Sequence, residues 1–190
     1  MFHKIKNKLE SQKLIEKKGL NYNPYIILKE SSPTMEVLEF ISRYEELAIR
    51  DPRPMGKFHH CIPQAKVLDV LAGYDSIIGL RLQPSLKRYD DEFLVLQGDI
   101  EVGRFTTQVK ATLNDAPGVS LREATNNPNL YKTYQWDWAW DKDPEIKGLR
   151  QIMDYIFKHE LFDMIVEFTI YSRPVGKYNE NLIIWELRNY

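Results

Sequence analysis

One cysteine, Cys61, is all the thiol this 190-residue chain has. An intramolecular disulfide and a cysteine-built zinc site are both excluded, and a reducing, cytoplasmic setting is expected. No run of about 18 apolar residues occurs, so no membrane span is expected. The opening stretch MFHKIKNKLESQKLIEKKG lacks the apolar centre of a signal peptide. Neither sign of charge is in excess: 26 Lys and Arg stand against 27 Asp and Glu, a net −1. That balance argues against coating nucleic acid or an anionic membrane by bulk charge, and leaves room for a local basic patch. Glycine-spaced dinucleotide and Walker loops are missing, as are Gly-x-Ser-x-Gly and His-Glu-x-x-His. There is no internal repeat and no low-complexity segment.

What is present suits a folded domain. Hydrophobic residues make up 43% and aromatics 12%, enough to bury a core. Phe2, Ile5, Leu9, Leu14 and Ile15 fall near one face of a basic helix over residues 2–18, which Gly19 ends. Tyr25 to Leu28 read as a short strand. Met35, Leu38, Ile41, Tyr44 and Leu47 form the apolar stripe of a helix predicted over 35–50, closed by the DPRP run at 51–54. AKVLDVLAG reads as a short helix ended by Gly73, YDSIIGLRL as a strand and PSLKRYDD as a turn. Two strands follow, EFLVLQGDIEV and RFTTQVKATL, turning at Gly103-Arg104. Residues 114–144 look like a long functional loop or two short turns of helix. A helix starting at Pro144 and two apolar closing strands complete the chain. The expectation is a basic N-terminal helix over 1–20 and a single domain over 21–190, of α+β or mixed α/β class, with a central mixed β-sheet flanked by helices.

The most chemically suggestive stretch is GDIEVGRFTTQVKATL, residues 98–113. Side chains two apart on a strand share a face, so Asp99 pairs with Glu101 and Gln108 with Lys110. Antiparallel pairing in the right register brings the two pairs together. Carboxylates suit a hard divalent cation, and a lysine beside it can orient water or balance phosphate charge. The helix over 35–50 offers a further carboxylate from Glu36, Glu39, Glu45 or Glu46. A charged, solvent-facing hairpin is the plain alternative.

These residues resemble the PD-(D/E)XK nuclease superfamily, in which an Asp precedes a D/E-X-K tripeptide across a hairpin on a mixed sheet. The tripeptide would be Gln108-Val109-Lys110, with Gln in place of the acid. The resemblance implies an Mg²⁺-dependent DNA endonuclease. Asp99, Gln108 and Lys110 would be catalytic, the metal would be held by Asp99 with Asp91 or Glu101, and a homodimer would suit cutting of both strands. No Pro precedes Asp99, and the next firm helix is far away.

In YQWDWAWD, residues 134–141, an extended chain puts Trp136, Trp138 and Trp140 on one face. Such a row can stack bases, anchor a protein partner or close the core. Arg104, Lys110, Arg122 and Lys132 are its basic neighbours. Two alternatives to the nuclease follow: a non-catalytic immunity- or inhibitor-type protein binding a partner through this segment, and a nucleic-acid-binding module without cleavage. In KFHHC, His59 and His60 point to opposite faces and make a poor chelate, and Cys61 reads as a small buried apolar residue.

Overall fold

Every strand of the computed structural model belongs to one of two antiparallel sheets; residues 5, 8–51, 56–114 and 131–189 are described. The chain is α+β, but neither sheet is mixed as expected. It divides into two compact units, one of Pro24–Arg88 and one of Met1–Asn23 with Tyr89–Tyr190.

The Pro24–Arg88 unit carries β1 (Ile26–Ile27), α2 (Met35–Ser42), β2 (Glu46–Arg50), β3 (Phe58–Pro63), α3 (Val67–Ala72) and β4 (Arg81–Pro84), with strand order β1-β4-β2-β3. Thr34 caps α2, its hydroxyl accepting the Val37 N–H. The predicted helix over 35–50 is half right. It stops at Ser42, and Glu46–Arg50 instead forms β2 between β3 and β4. Leu47, Ala48 and Ile49 are all buried, which needs a strand covered on both faces, and that burial outweighs the helix preference of the Glu-rich run. α3 ends at Gly73 as read, while the predicted strand over 74–82 begins only at Arg81.

The other unit carries α1 (Lys8–Lys17), β5 (Leu94–Val102), β6 (Gln108–Asn114), β7 (Lys132–Asp137), α5 (Leu149–His159), β8 (Ile165–Val175) and β9 (Glu180–Arg188), in strand order β7-β6-β5-β8-β9. The PSLKRYDD segment is no turn: α4 (Lys87–Phe93) forms there, across the division of the units. One face of the five-stranded sheet is apolar. Leu96, Ile100, Val102, Val109, Ala111, Leu113, Trp136, Val166, Phe168, Ile170, Leu182, Ile184 and Leu187 line it and pack with Ile152, Met153 and Ile156 of α5. α5 starts five residues after Pro144, because Gly148 takes a left-handed φ of +87°. α1 lies along β9 and adds Leu14 and Ile15 to this core, with Leu20 just beyond its end.

Candidate functional site

The opposite face of the five-stranded sheet is polar almost throughout, an arrangement set by strand register. One transverse row reads Thr133, Thr112, Asp99, Glu167 and Glu186 across all five strands. The next reads Gln135, Lys110, Glu101, Ile165 and Arg188. On the other side lie Asn114, Gln97 and Thr169, all buried. A bulge sharpens the pattern at β9. Phe168 pairs with Ile184 and Glu167 with Glu186, so Trp185 is the extra residue. Trp185 donates its Nε1–H to Thr169 Oγ1 at 2.8 Å, placing it and Glu186 on the polar side in succession.

Three carboxylates facing one another on adjacent strands repel. Two cations offset this. Arg188 Nη2 lies 2.6 Å from Asp99 and 3.9 Å from Glu167, and Lys8 Nζ of α1 lies 3.4 Å from Glu186. Burial acts against the Arg188 charge, but the Asp99 hydrogen bond and the nearby carboxylates outweigh it and raise its pKa. Burial, then Asp99 and Glu186, raise the pKa of Glu167. Tyr131 is pushed up to about 12 by burial, then by Asp99 and Glu167. The face is a half-buried cluster of carboxylates stitched by guanidinium and ammonium groups, chemistry suited to cations, phosphates or both.

Asp99, Glu101 and Lys110 share this face, with Glu101 directly across from Lys110. Gln108 begins β6 on the same face as Lys110, and its Nε2 donates to Asp137 across the β6–β7 pair at 3.2 Å. Asp91 lies on α4 rather than on β5. Arg104 sits over the Phe162 ring at 4.8 Å and 3.8 Å from Glu160; Lys132 is exposed on β7; Arg122 lies outside the described residues. The tryptophan platform does not form. β7 ends at Asp137, whose carboxylate accepts the Ala139 N–H while its own N–H goes to Asp141. Trp136 is buried and donates to Asp143, Trp138 donates to Gly103 O and packs edge-on to Phe157, and Trp140 is 86% exposed. In β3, His60 packs at a tilt against Phe58 and His59 meets Tyr74, and the half-buried Cys61 thiol accepts from Ser85 Oγ.

Sequence reasoning missed Lys8, Glu167, Glu186 and Arg188. A signal existed, since IVEFTI and IIWELR each embed a carboxylate in a mostly apolar strand.

No protein-family model matches this sequence, and no curated protein resembles it closely enough to count as a relative. Solved structures do resemble the fold. D-alanine–D-alanine ligase from Helicobacter pylori matches with a TM-score of 0.54 and 12% identity over 96% of this chain and 53% of the ligase. D-alanyl-alanine synthetase A from Vibrio cholerae O1 biovar eltor matches at 0.50 and 11%, over 96% and 55%. N5-carboxyaminoimidazole synthase from Aspergillus clavatus, in complex with ADP and a ribonucleotide, matches at 0.50 and 14%, over 96% and 44%. These are enzymes of the ATP-grasp type, and the likeness is one of fold. The chain spans about half the length of each. The PD-(D/E)XK-like endonuclease reading is thereby corrected. A D…QxK pattern is short enough to arise on any polar hairpin, and here its Gln serves the β6–β7 pairing.

Proposed function

We propose that this chain is an ATP-grasp-type module that binds Mg²⁺·ATP for phosphoryl transfer, with the polar face of its five-stranded sheet as the phosphate and metal surface. The observation that carries the reading is the fold likeness over 96% of the chain to a synthase whose structure holds ADP. Register supports it, because it gathers cations and hard oxygen donors on one sheet face.

Mg²⁺ suits these donors. Among the described residues no three His, Cys, Asp or Glu side chains form a closed metal cage. Mg²⁺ does not need one, being commonly held by one or two carboxylates together with nucleotide phosphates. Asp99 and Glu101, two apart on β5, are such carboxylates. When bound, Mg²⁺ screens phosphate charge and polarises the phosphoryl oxygens. The protein's part is positional and electrostatic, as phosphoryl transfer demands. Arg188, Lys8 and Lys110 would meet phosphate oxygens, Arg188 through a planar fork suited to bidentate contact. Glu167 and Glu186 would keep Arg188 and Lys8 aimed across the face.

The test is calorimetric titration of the chain with ATP and ADP, with Mg²⁺ and with EDTA. Binding below about 1 mM, the upper end of ordinary substrate affinities, that needs Mg²⁺ and weakens in Asp99→Asn and Arg188→Ala is expected. No heat and no thermal stabilisation by any nucleoside triphosphate at that concentration overturns the reading.

A further inference from the structure

A serine within a helix ordinarily turns its hydroxyl back to a carbonyl of its own helix or out to water. Ser11 of α1 faces a strand of the sheet. It is 1% exposed, and its Oγ accepts the backbone N–H of Leu187 at 2.7 Å, from a residue 176 positions away. Leu187 stands between Glu186 and Arg188.

β9 is the last strand of its sheet, paired only with β8, so its outward backbone groups need partners elsewhere. The N-terminal segment supplies several: Asn21 O accepts the Ile184 N–H at 2.9 Å, Asn21 Nδ2 donates to Leu182 O, and Ser11 accepts the Leu187 N–H. The bulge residues Trp185 and Glu186 lie between the anchors at Ile184 and Leu187. A bulge leaves a residue outside the ladder and weakens the local hold on strand direction. Ser11 restores that hold just beyond it. Lys8, three residues earlier on the same helix and hence on the same side, reaches Glu186 at 3.4 Å.

We propose that Ser11 is a positioning residue: its hydroxyl fixes the end of β9 so that Arg188 meets Asp99 and Glu186 lies in the carboxylate row. The proposal rests on the reading of the polar face as a nucleotide-phosphate site. Ser11 itself touches neither Asp99 nor Arg188 and acts through the Leu187 N–H.

The experiment compares the full chain with Ser11→Ala and Ser11→Thr in three measurements: amide hydrogen exchange along β9, the ¹⁵N resonance of the Arg188 guanidinium, and Mg²⁺·ATP affinity. In Ser11→Ala, exchange at Leu187 quickens at least about tenfold while Ile184 keeps its protection, and the Arg188 resonance moves. The dissociation constant rises about tenfold, the scale set by small misplacement of a binding group. Ser11→Thr, which keeps the hydroxyl, restores all three. If Ser11→Ala does not fold, Ser11→Cys keeps the volume with a weak acceptor and is read in the same way. Unchanged Leu187 exchange overturns the proposal, and so does faster exchange with an unmoved Arg188 resonance, which would make Ser11 structural only. Should the wild-type chain bind no nucleotide, the functional reading fails, while exchange and the Arg188 resonance still decide the role of Ser11.

Discussion

Arg188 reaches two carboxylates on two other strands, standing 2.6 Å from Asp99 on β5 and 3.9 Å from Glu167 on β8. The closer contact is a charge-assisted hydrogen bond between side chains 39% and 40% exposed, so solvent screens it in part. A double-mutant cycle of Arg188→Ala and Asp99→Ala, read by urea denaturation, should return a coupling of about 1 kcal/mol at low salt. Raising the salt to about 1 M, where the Debye length falls to about 3 Å, should shrink it. A coupling that ignores salt would mean the pair is not electrostatic.

Glu167 gives stability a pH dependence of defined sign. Its folded pKa is raised above 4.5 by burial, then by Asp99 and Glu186. Between the unfolded and folded values the native state holds the extra proton, so stability falls as pH rises through that window. Glu167→Gln should remove this contribution and leave the protein more stable than wild type at neutral pH. It should also weaken Mg²⁺·ATP binding, because Arg188 loses a counter-charge. Urea midpoints measured at intervals from acid to neutral pH would show the flattened slope; an unchanged slope would sink the assignment.

The three tryptophans of 136–140 should differ sharply under truncation. Trp136→Ala opens a cavity in the core and leaves Asp143 without its indole donor, costing about 3–5 kcal/mol. Trp140→Ala removes a ring that is 86% exposed and should change stability by no more than about 0.5 kcal/mol. Denaturant melts of the two variants decide it, and equal losses would contradict the placement.

Asn21 ties the β8–β9 connection with one amide. Its Nδ2 donates to Val175 O and Leu182 O at 2.8 Å each, and its Oδ1 accepts the Tyr178 N–H at 2.8 Å. Asn21→Ala should cost about 2–4 kcal/mol, since a buried and two partly buried backbone groups lose their partner at once. Gly176, with φ +86°, sits so close that an added Cβ would lie 2.7 Å from Asn21 Oδ1. Gly176→Ala should therefore destabilise the same hairpin. Faster amide exchange confined to residues 175–182 in both variants would confirm a shared lesion.

Local pattern was enough to place Asp99, Glu101 and Lys110 on one sheet face, because the period of two needs no knowledge of the rest of the chain. It failed at 43–50, where Glu-rich helical spacing and a buried strand compete and only the neighbouring strands β3 and β4 decide. The other half of the site lay beyond local reading. Glu167 and Arg188 are 68 and 89 residues from Asp99 in sequence, and their meeting depends on pairing register and a bulge. Lys8 depends on the docking of a helix from near the start of the chain. The nuclease resemblance drew on the local half alone.

The hydrogen bond between Ser11 and Leu187 closes a unit whose chain is interrupted by all of Pro24–Arg88. A sheet completed by its last strand and clasped by its earliest described helix has contacts of high sequence separation, which form slowly. During synthesis the intervening unit is made before β9, whereas α1 waits for its binding strand until the chain has been made through Arg188. The polar face is thus completed only when β9 arrives, and a chain stopped short of Glu186 would retain the first carboxylates of the row without the arginine that joins them.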